Sequence, residues 1–306
     1  METKWHVFRI INKVNPSKTD KMKIRNIILP LFAIFILSGC KKDQSEDPYT
    51  NKKIMEDNAH AVLYFHTVFR EAENAWAFIN SKEYVEGEYP DPANTSTTYK
   101  IMTYSKTLKK VTIEYNAWKS GGHLLIGKIH VEFSEKSYRT KDQVANVMLT
   151  DFSINGQNVV GQSSIRYNKV ENSDNDHYTY TLKEGAAIHE VGSSKPVLIS
   201  GAIASGQYER IEGNEKLTQD DDVWVYSGEM KGMLREDQNL KYTNTVISKY
   251  MGEDGNEKDG RIYFTMDCVT AQQGVSQIKV SGRPDTDIIY GYLCSDIDYL
   301  SVEKVY

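Results

Sequence analysis

Between Ile54 and Ile79 apolar side chains recur at mixed spacings of three and four. Met55, Val62, Phe65, Phe69, Ala72, Trp76 and Ile79 fall on one face, while Glu56, Asp57, Arg70, Glu71 and Glu73 fall elsewhere. That period predicts one amphipathic helix whose apolar stripe covers a neighbouring layer. The stretch holds fewer than four heptads, so packing on a sheet is expected ahead of a coiled coil. His60 and His66 stand six positions apart, off the spacing that puts two metal ligands on one helix face. They read as ordinary polar-face residues.

Residues 86–98, with Gly87, Pro90, Pro92 and a Ser/Thr run, read as a loop. Beyond it the period changes to two. Val111, Ile113 and Tyr115 alternate with Thr112 and Glu114. Leu125, Ile129, Val131 and Phe133 alternate with Lys128, His130 and Glu132. Ile262, Phe264, Met266 and Cys268 alternate with Tyr263, Thr265 and Asp267. Such strands have one wet face, which suits antiparallel pairing. Asn155-Gly156 predicts a tight hairpin turn with positive φ. Residues 173–176 and 252–260 read as polar hairpin tips. About ten strands are expected after residue 100, with no helix between them. Short connections imply a meander without parallel crossovers. The expected fold is therefore mainly β: a long twisted antiparallel β-meander behind one N-terminal amphipathic helix. A single curled sheet, a sandwich and an open barrel all satisfy that pattern. The 20 tyrosines suit half-buried pleated surfaces.

The N-terminal 53 residues follow a different rule. Residues 27–37 read IILPLFAIFIL, preceded by Met22, Lys23 and Arg25 and followed by Ser38, Gly39 and Cys40. A basic region, a short apolar run and small residues form an export signal. At about 1.5 Å per residue the run reaches only about half of the ~30 Å hydrocarbon core. Leu37-Ser38-Gly39-Cys40 resembles the lipobox of bacterial lipoproteins. On that reading residues 1–39 are removed, with Met22 the expected true start. The Cys40 thiol then carries a diacylglycerol, its amine is acylated, and two or more chains anchor the protein stably. Residues 40–53 read as a lipidated cysteine and solvated tether, 54–98 as helix and loop, and 99–306 as one β domain. The lysines and acids after Cys40 resemble the surface-export signal of Bacteroidetes-type lipoproteins. The expected address is the outer membrane, on the cell surface rather than the periplasmic face.

Composition narrows the picture further. The chain has 306 residues, 40% hydrophobic and 26% charged, which is globular. No apolar run reaches the roughly 18 residues of a membrane-spanning helix. Three cysteines are too few for a disulfide-stapled scaffold. Removing residues 1–39, with seven Lys/Arg and two Asp/Glu, takes the formal charge from −5 to −10. Nucleic acid is therefore a poor partner, and the lipid rather than a basic patch must hold the membrane.

Motifs for chemistry are incomplete. His189-Glu190 begins a zinc-protease pattern, but Ser193 stands where the second histidine is required. Gly161-Gln162-Ser163 and Gly274-Val275-Ser276 lack the closing glycine of a nucleophile elbow. No phosphate loop or dinucleotide fingerprint occurs, and no cofactor or metal is expected. The acidic runs at 220–222 and 254–259 supply hard oxygen atoms of the kind calcium takes, but Lys258 breaks the EF-hand spacing and a solvated loop is the simpler reading. Asp285 with Asp287, and Asp296 with Asp298, would meet across a hairpin as the two carboxyls of a glycosidase, against the simpler reading of solvent-facing alternate positions. Trp118, Trp224 and Tyr292, with Tyr178, Tyr180 and Tyr263, offer a low-ranked sugar-stacking platform against the commoner role of aromatics in core packing. Cys268 and Cys294 are a disulfide if they lie on paired strands, and two separate thiols if they do not.

Three segments resemble an uncharacterised family of Bacteroidetes-type lipoproteins. These are Phe152-Ser153-Ile154-Asn155-Gly156 with Val159 and Gly161; Asp221-Asp222-Val223-Trp224 with Gly228 and Gly232; and Tyr290, Gly291, Cys294 and Asp296. The resemblance implies a twisted antiparallel meander behind a helix, and no catalytic residue. The expected function is a lipid-anchored envelope protein, non-enzymatic, that binds an envelope protein or glycan or serves structurally. The alternative is an envelope polysaccharide hydrolase using Asp296 or Asp298.

Overall fold

The computed structural model describes residues 48–134, 140–171, 173–190, 196–212, 222–234, 237, 239–252, 255–265 and 273–291, with backbone alone for 48–53, 190 and 196–204. Its single helix, α1, runs Pro48–Ser81. It begins before the apolar pattern does, so residues 48–53, expected to be part of the tether, are helical. Proline suits a first helical turn, where its missing N–H has no partner to lose. Residues 48–53 carry no apolar period, which hid them from pattern reading. The helix stops where Glu83 and Tyr84 turn left-handed, with φ of 53° and 54°. At 1.5 Å per residue α1 is about 51 Å long.

The strands form one antiparallel meander. β1 (Gly87–Pro90), inside the expected loop, pairs β2 (Tyr99–Ser105). Then follow β3 (Lys110–Ser120), β4 (His123–Phe133) and β5 (Val144–Ile154), each beside its predecessor. The next position is shared by β6 (Gln157–Val160) and β7 (Gln162–Asn168), which lie between β5 and β8 (Asp176–Glu190) as one broken strand. β9 (Pro196–Glu212) and β10 (Val223–Met233) continue the order.

A second broken strand follows. β11 (Lys241–Val246) and β14 (Ile262–Thr265) both run between β10 and β15 (Gln273–Val280). The chain between them leaves the sheet as a hairpin of β12 (Lys249–Met251) and β13 (Glu257–Asp259). It re-enters at Gly260, where an added Cβ would stand 2.1 Å from the Ile247 carbonyl oxygen. β16 (Thr286–Gly291) pairs β15 last. Among the described residues β2 to β16 make fifteen strands where about ten were expected. The excess comes from two interrupted strands and one short excursion.

The alternation holds where it was read. Val111, Ile113, Leu125, Ile129 and Val131 are each 0% exposed. Asn155 and Gly156 take φ of 50° and 79° at the β5–β6 turn. Met266 and Cys268 lie outside the described residues.

Alternation is interrupted along one line across the sheet. Ala117 on β3, Gly127 on β4 and Asp151 on β5 have φ of 49°, 99° and 49°. Gly161 between β6 and β7, and Gly185 on β8, have φ of 143° and 90°. The register shifts between Tyr115 and Trp118, between Ile126 and Lys128, and between Leu182 and Ala186. Bulges bend a strand and raise its twist. The irregular positions lie side by side across β3 to β8. Gly127 has no substitute, because a Cβ would meet the Asp151 carbonyl oxygen at 2.1 Å.

The bent sheet wraps the helix. From Asp57 to Ile79 every helical residue is buried except His60, Asn74, Ala77 and Phe78, which are half-buried. Helix side chains meet Tyr89 on β1, Phe133 on β4, Tyr178 on β8, Trp224 on β10 and Phe264 on β14. The core is thus a helix threaded through a curled sheet. This corrects the expectation that the helix keeps a polar face outside. Arg70, Glu71 and Glu73 are at most 4% exposed. Eight strand tyrosines, Tyr104, Tyr115, Tyr178, Tyr180, Tyr208, Tyr226, Tyr242 and Tyr290, lie on the buried face of the sheet.

Candidate functional site

The helix carries carboxylates inward, and the sheet answers them. Glu71 accepts hydrogen bonds from Tyr115 Oη at 2.7 Å, Ser120 Oγ at 2.5 Å and Lys100 Nζ at 3.0 Å. Arg70 Nη2 donates to Ser120 Oγ at 3.0 Å and stands 3.5 Å from Glu71 Oε1. Burial alone would raise the Glu71 pKa, but Lys100, Arg70 and the two hydroxyls outweigh it and hold it at about 2. Tyr115 is pushed well above the ordinary phenol value by burial and by that carboxylate, so it stays a donor. Tyr178 Oη donates to Glu73 Oε1 at 2.9 Å. These groups bond to one another, so the cluster is a structural lock between α1 and the sheet.

His66 is enclosed rather than on a polar face. Its ring lies parallel to Phe264 at 3.8 Å between centroids and 5.4 Å from Tyr208. Burial, then the charge of Arg70 and the nearby His123, lower its pKa well below the usual imidazole value. It is therefore neutral. His60 is half-buried and stacks on Tyr64.

A second buried charge lies between β8, β9 and β10. Arg210 pairs with Asp176, reaches Asp222 at 3.5 Å, and lies 5.3 Å from the centroid of the Trp224 ring. Trp224 is 1% exposed and packs edge-on against Phe69 at 5.2 Å. It is a core residue, which removes it from any stacking platform. Tyr178 and Tyr180 are buried with it. Trp118 on β3 sits opposite Leu125 and packs partly buried against the same core. Tyr263 donates to Asp259 at 2.9 Å. The structure does not bring these aromatics together on a surface. Tyr292, Cys40, Cys268, Cys294, Asp296 and Asp298 lie outside the described residues.

Of the candidate calcium residues, Asp222 and Asp259 are otherwise engaged, and Asp220, Asp221 and Asp254 lie outside the described residues. Asp259 is gripped by the Arg261 guanidinium at 2.7–3.1 Å, and Asp222 by Arg210. Among the described residues no group of three His, Cys, Asp or Glu is arranged to hold a metal. Asp285 pairs with Lys279 at 3.2 Å, and Asp287 accepts from Gln277 at 3.1 Å.

The concavity is on the outer face, beside the line of bulges. A recess of about 720 Å³ is lined by Lys110 of β3, His130 of β4, Met148, Leu149 and Thr150 of β5, Gly161, Gln162 of β7, and Lys183, Glu184 and Gly185 of β8. The broken β6–β7 strand and the Gly185 bulge leave a notch there. His130 is clamped, with Nδ1 3.0 Å from Thr112 Oγ1 and Nε2 3.2 Å from Thr150 Oγ1. Its pKa is lowered by partial burial and by Lys110 and Lys128, against Glu132. Lys110 has a loose partner in Glu132, at 3.8 Å. Sequence reading missed this site because its residues come from five strands. The irregular glycines 127, 161 and 185 were its only trace.

No family model, curated protein or solved structure matches this chain.

Proposed function

We propose that this protein is a lipid-anchored component of a bacterial cell envelope that acts as a binding module through the outer face of its curled sheet. The observation that carries the reading is the export segment ending in Leu37-Ser38-Gly39-Cys40. The folded body supports it, since α1 starts at Pro48, eight positions after Cys40. An interior filled by the helix leaves ligand contacts to the outer surface, where the recess across β3 to β8 lies. The lysine- and acid-rich stretch after Cys40 favours display on the cell surface.

The test is mass spectrometry of the membrane-bound protein produced in a bacterium that processes lipoproteins. The expected mature N-terminus is Cys40 with a thioether diacylglycerol and an acylated amine. Cys40→Ser is expected to move the chain out of the membrane fraction or leave it unprocessed. An unmodified peptide running through Cys40 from membrane-bound protein overturns the anchor. Protease digestion of intact cells then reports which side the domain faces.

A further inference from the structure

The outer recess has the chemistry of a particular ligand class. Its lining includes two lysines and a histidine but one acid, Glu184, on a body whose residues 40–306 carry a formal charge of −10. Lys183 is exposed and has no ion pair among the described residues. Lys110 would give up little, because exposed pairs as loose as its contact with Glu132 contribute about 0–1 kcal/mol at most. The His130 pKa is lowered first by partial burial and then by the charges of Lys110 and Lys128, against Glu132. Gln162 and Thr150 add hydrogen-bonding groups, and Met148 adds an apolar one, while the Leu149 side chain packs against the core.

The strands that build the recess have partners on both sides: β3, β4, β5, β7 and β8 are all interior to the sheet. The recess therefore offers side chains and no free backbone edge. An extended peptide binds a sheet chiefly by main-chain hydrogen bonds to an edge strand, which is not available here. A ligand rich in hydroxyls and carboxylates needs no such edge. The lysines lie on β3 and β8, four strand spacings apart, about 19 Å at the backbone. The volume falls within the ~300–1,000 Å³ of small-ligand sites. From this arrangement we infer that the recess across β3 to β8 binds a carboxylate-bearing oligosaccharide, with Lys110 and Lys183 pairing its acidic groups and Gln162 and Thr150 its hydroxyls.

This inference rests on the binding half of the reading above and is independent of the anchor. The test titrates the full chain in detergent with trigalacturonic acid. A neutral trisaccharide, a short poly-glutamate peptide and inorganic phosphate are run beside it. Expected are binding of the acidic trisaccharide, a shift of the His130 ring resonances on saturation, and weakening with salt. The double variant Lys110→Gln/Lys183→Gln is expected to lose at least tenfold in affinity with an unchanged melting temperature. Lys183→Arg is expected to retain binding, and Lys231→Gln on β10 to leave it unaltered. Equal affinity in the double variant, or no binding of the acidic trisaccharide, overturns the proposal. Peptide or phosphate binding at the same strength and with the same dependence on the lysines overturns the saccharide class. Neither result bears on Cys40, whose lipidation is read separately.

Discussion

Glu71 and Glu114 each meet one lysine and one tyrosine hydroxyl, on opposite faces of the same part of the sheet. Glu71, on the helix, takes Lys100 at 3.0 Å and Tyr115 at 2.7 Å. Glu114, on the outer face, takes Lys128 at 2.9 Å and Tyr99 at 3.1 Å. The partners are neighbours in sequence: strand alternation sends Tyr99 and Glu114 out, and Lys100 and Tyr115 in. Exposure separates the two sets. Glu71 is 1% exposed, whereas Glu114 and Lys128 are 38% and 43% exposed. In the interior, a missing partner leaves a charge without water, so every member matters. Outside, water replaces a lost partner and salt screens the rest. The same chemistry is a lock on one face and an incidental contact on the other.

The largest effect is expected from breaking the inner set. Glu71→Ala leaves Lys100 and Arg70 without their carboxylate and is expected to cost about 3–5 kcal/mol of stability. Tyr115→Phe removes one donor and is expected to cost about 1–2 kcal/mol. Urea titrations with an unchanged slope read both, and a loss below 1 kcal/mol for Glu71→Ala would show the lock to be unimportant.

A smaller effect, graded by pH, distinguishes the interior histidine. His66 is neutral in the folded state with its pKa well below 6.5, whereas the unfolded chain takes a proton near 6.5. Its contribution to stability is thus complete above pH 6.5 and is lost as pH falls toward the folded value. The slope approaches about 1.4 kcal/mol per pH unit. His66→Phe is expected to flatten the stability profile between pH 6.5 and about 5. Identical profiles in wild type and variant would contradict it. The Glu71 contribution has its own window, from the ordinary carboxylate value down to about 2.

The smallest effect belongs to the outer pair. Lys128→Ala is expected to change stability by less than about 1 kcal/mol, and by nothing measurable at high salt. A loss comparable to that of Glu71→Ala would erase the distinction between the faces.

Legibility follows the same division. The alternation of Val111 to Tyr115 and of Leu125 to Phe133 placed two strands and their inward faces correctly, because period two is a local property of the chain. The Asn155-Gly156 turn was equally plain, since only a few residue types accept its positive φ. Trp224 was not placed. An aromatic beside Asp222 looks the same in sequence whether it faces solvent or the core, and Arg210, which lies over it, is fourteen positions away. The recess was invisible for a related reason: its walls are assembled from β3, β4, β5, β7 and β8 by pairing, and pairing has no local sign.

What the sequence determined alone is the set of elements with their own periodicity: one helix, then antiparallel strands joined by short turns. The tertiary structure decided where the polar half of the helix goes. A flat sheet would have left Arg70, Glu71 and Glu73 in water. The bent sheet wraps them, and tyrosines, Ser120 and Lys100 replace the lost solvent. Burial is a property of the curled sheet, so no pattern within the helix could announce it.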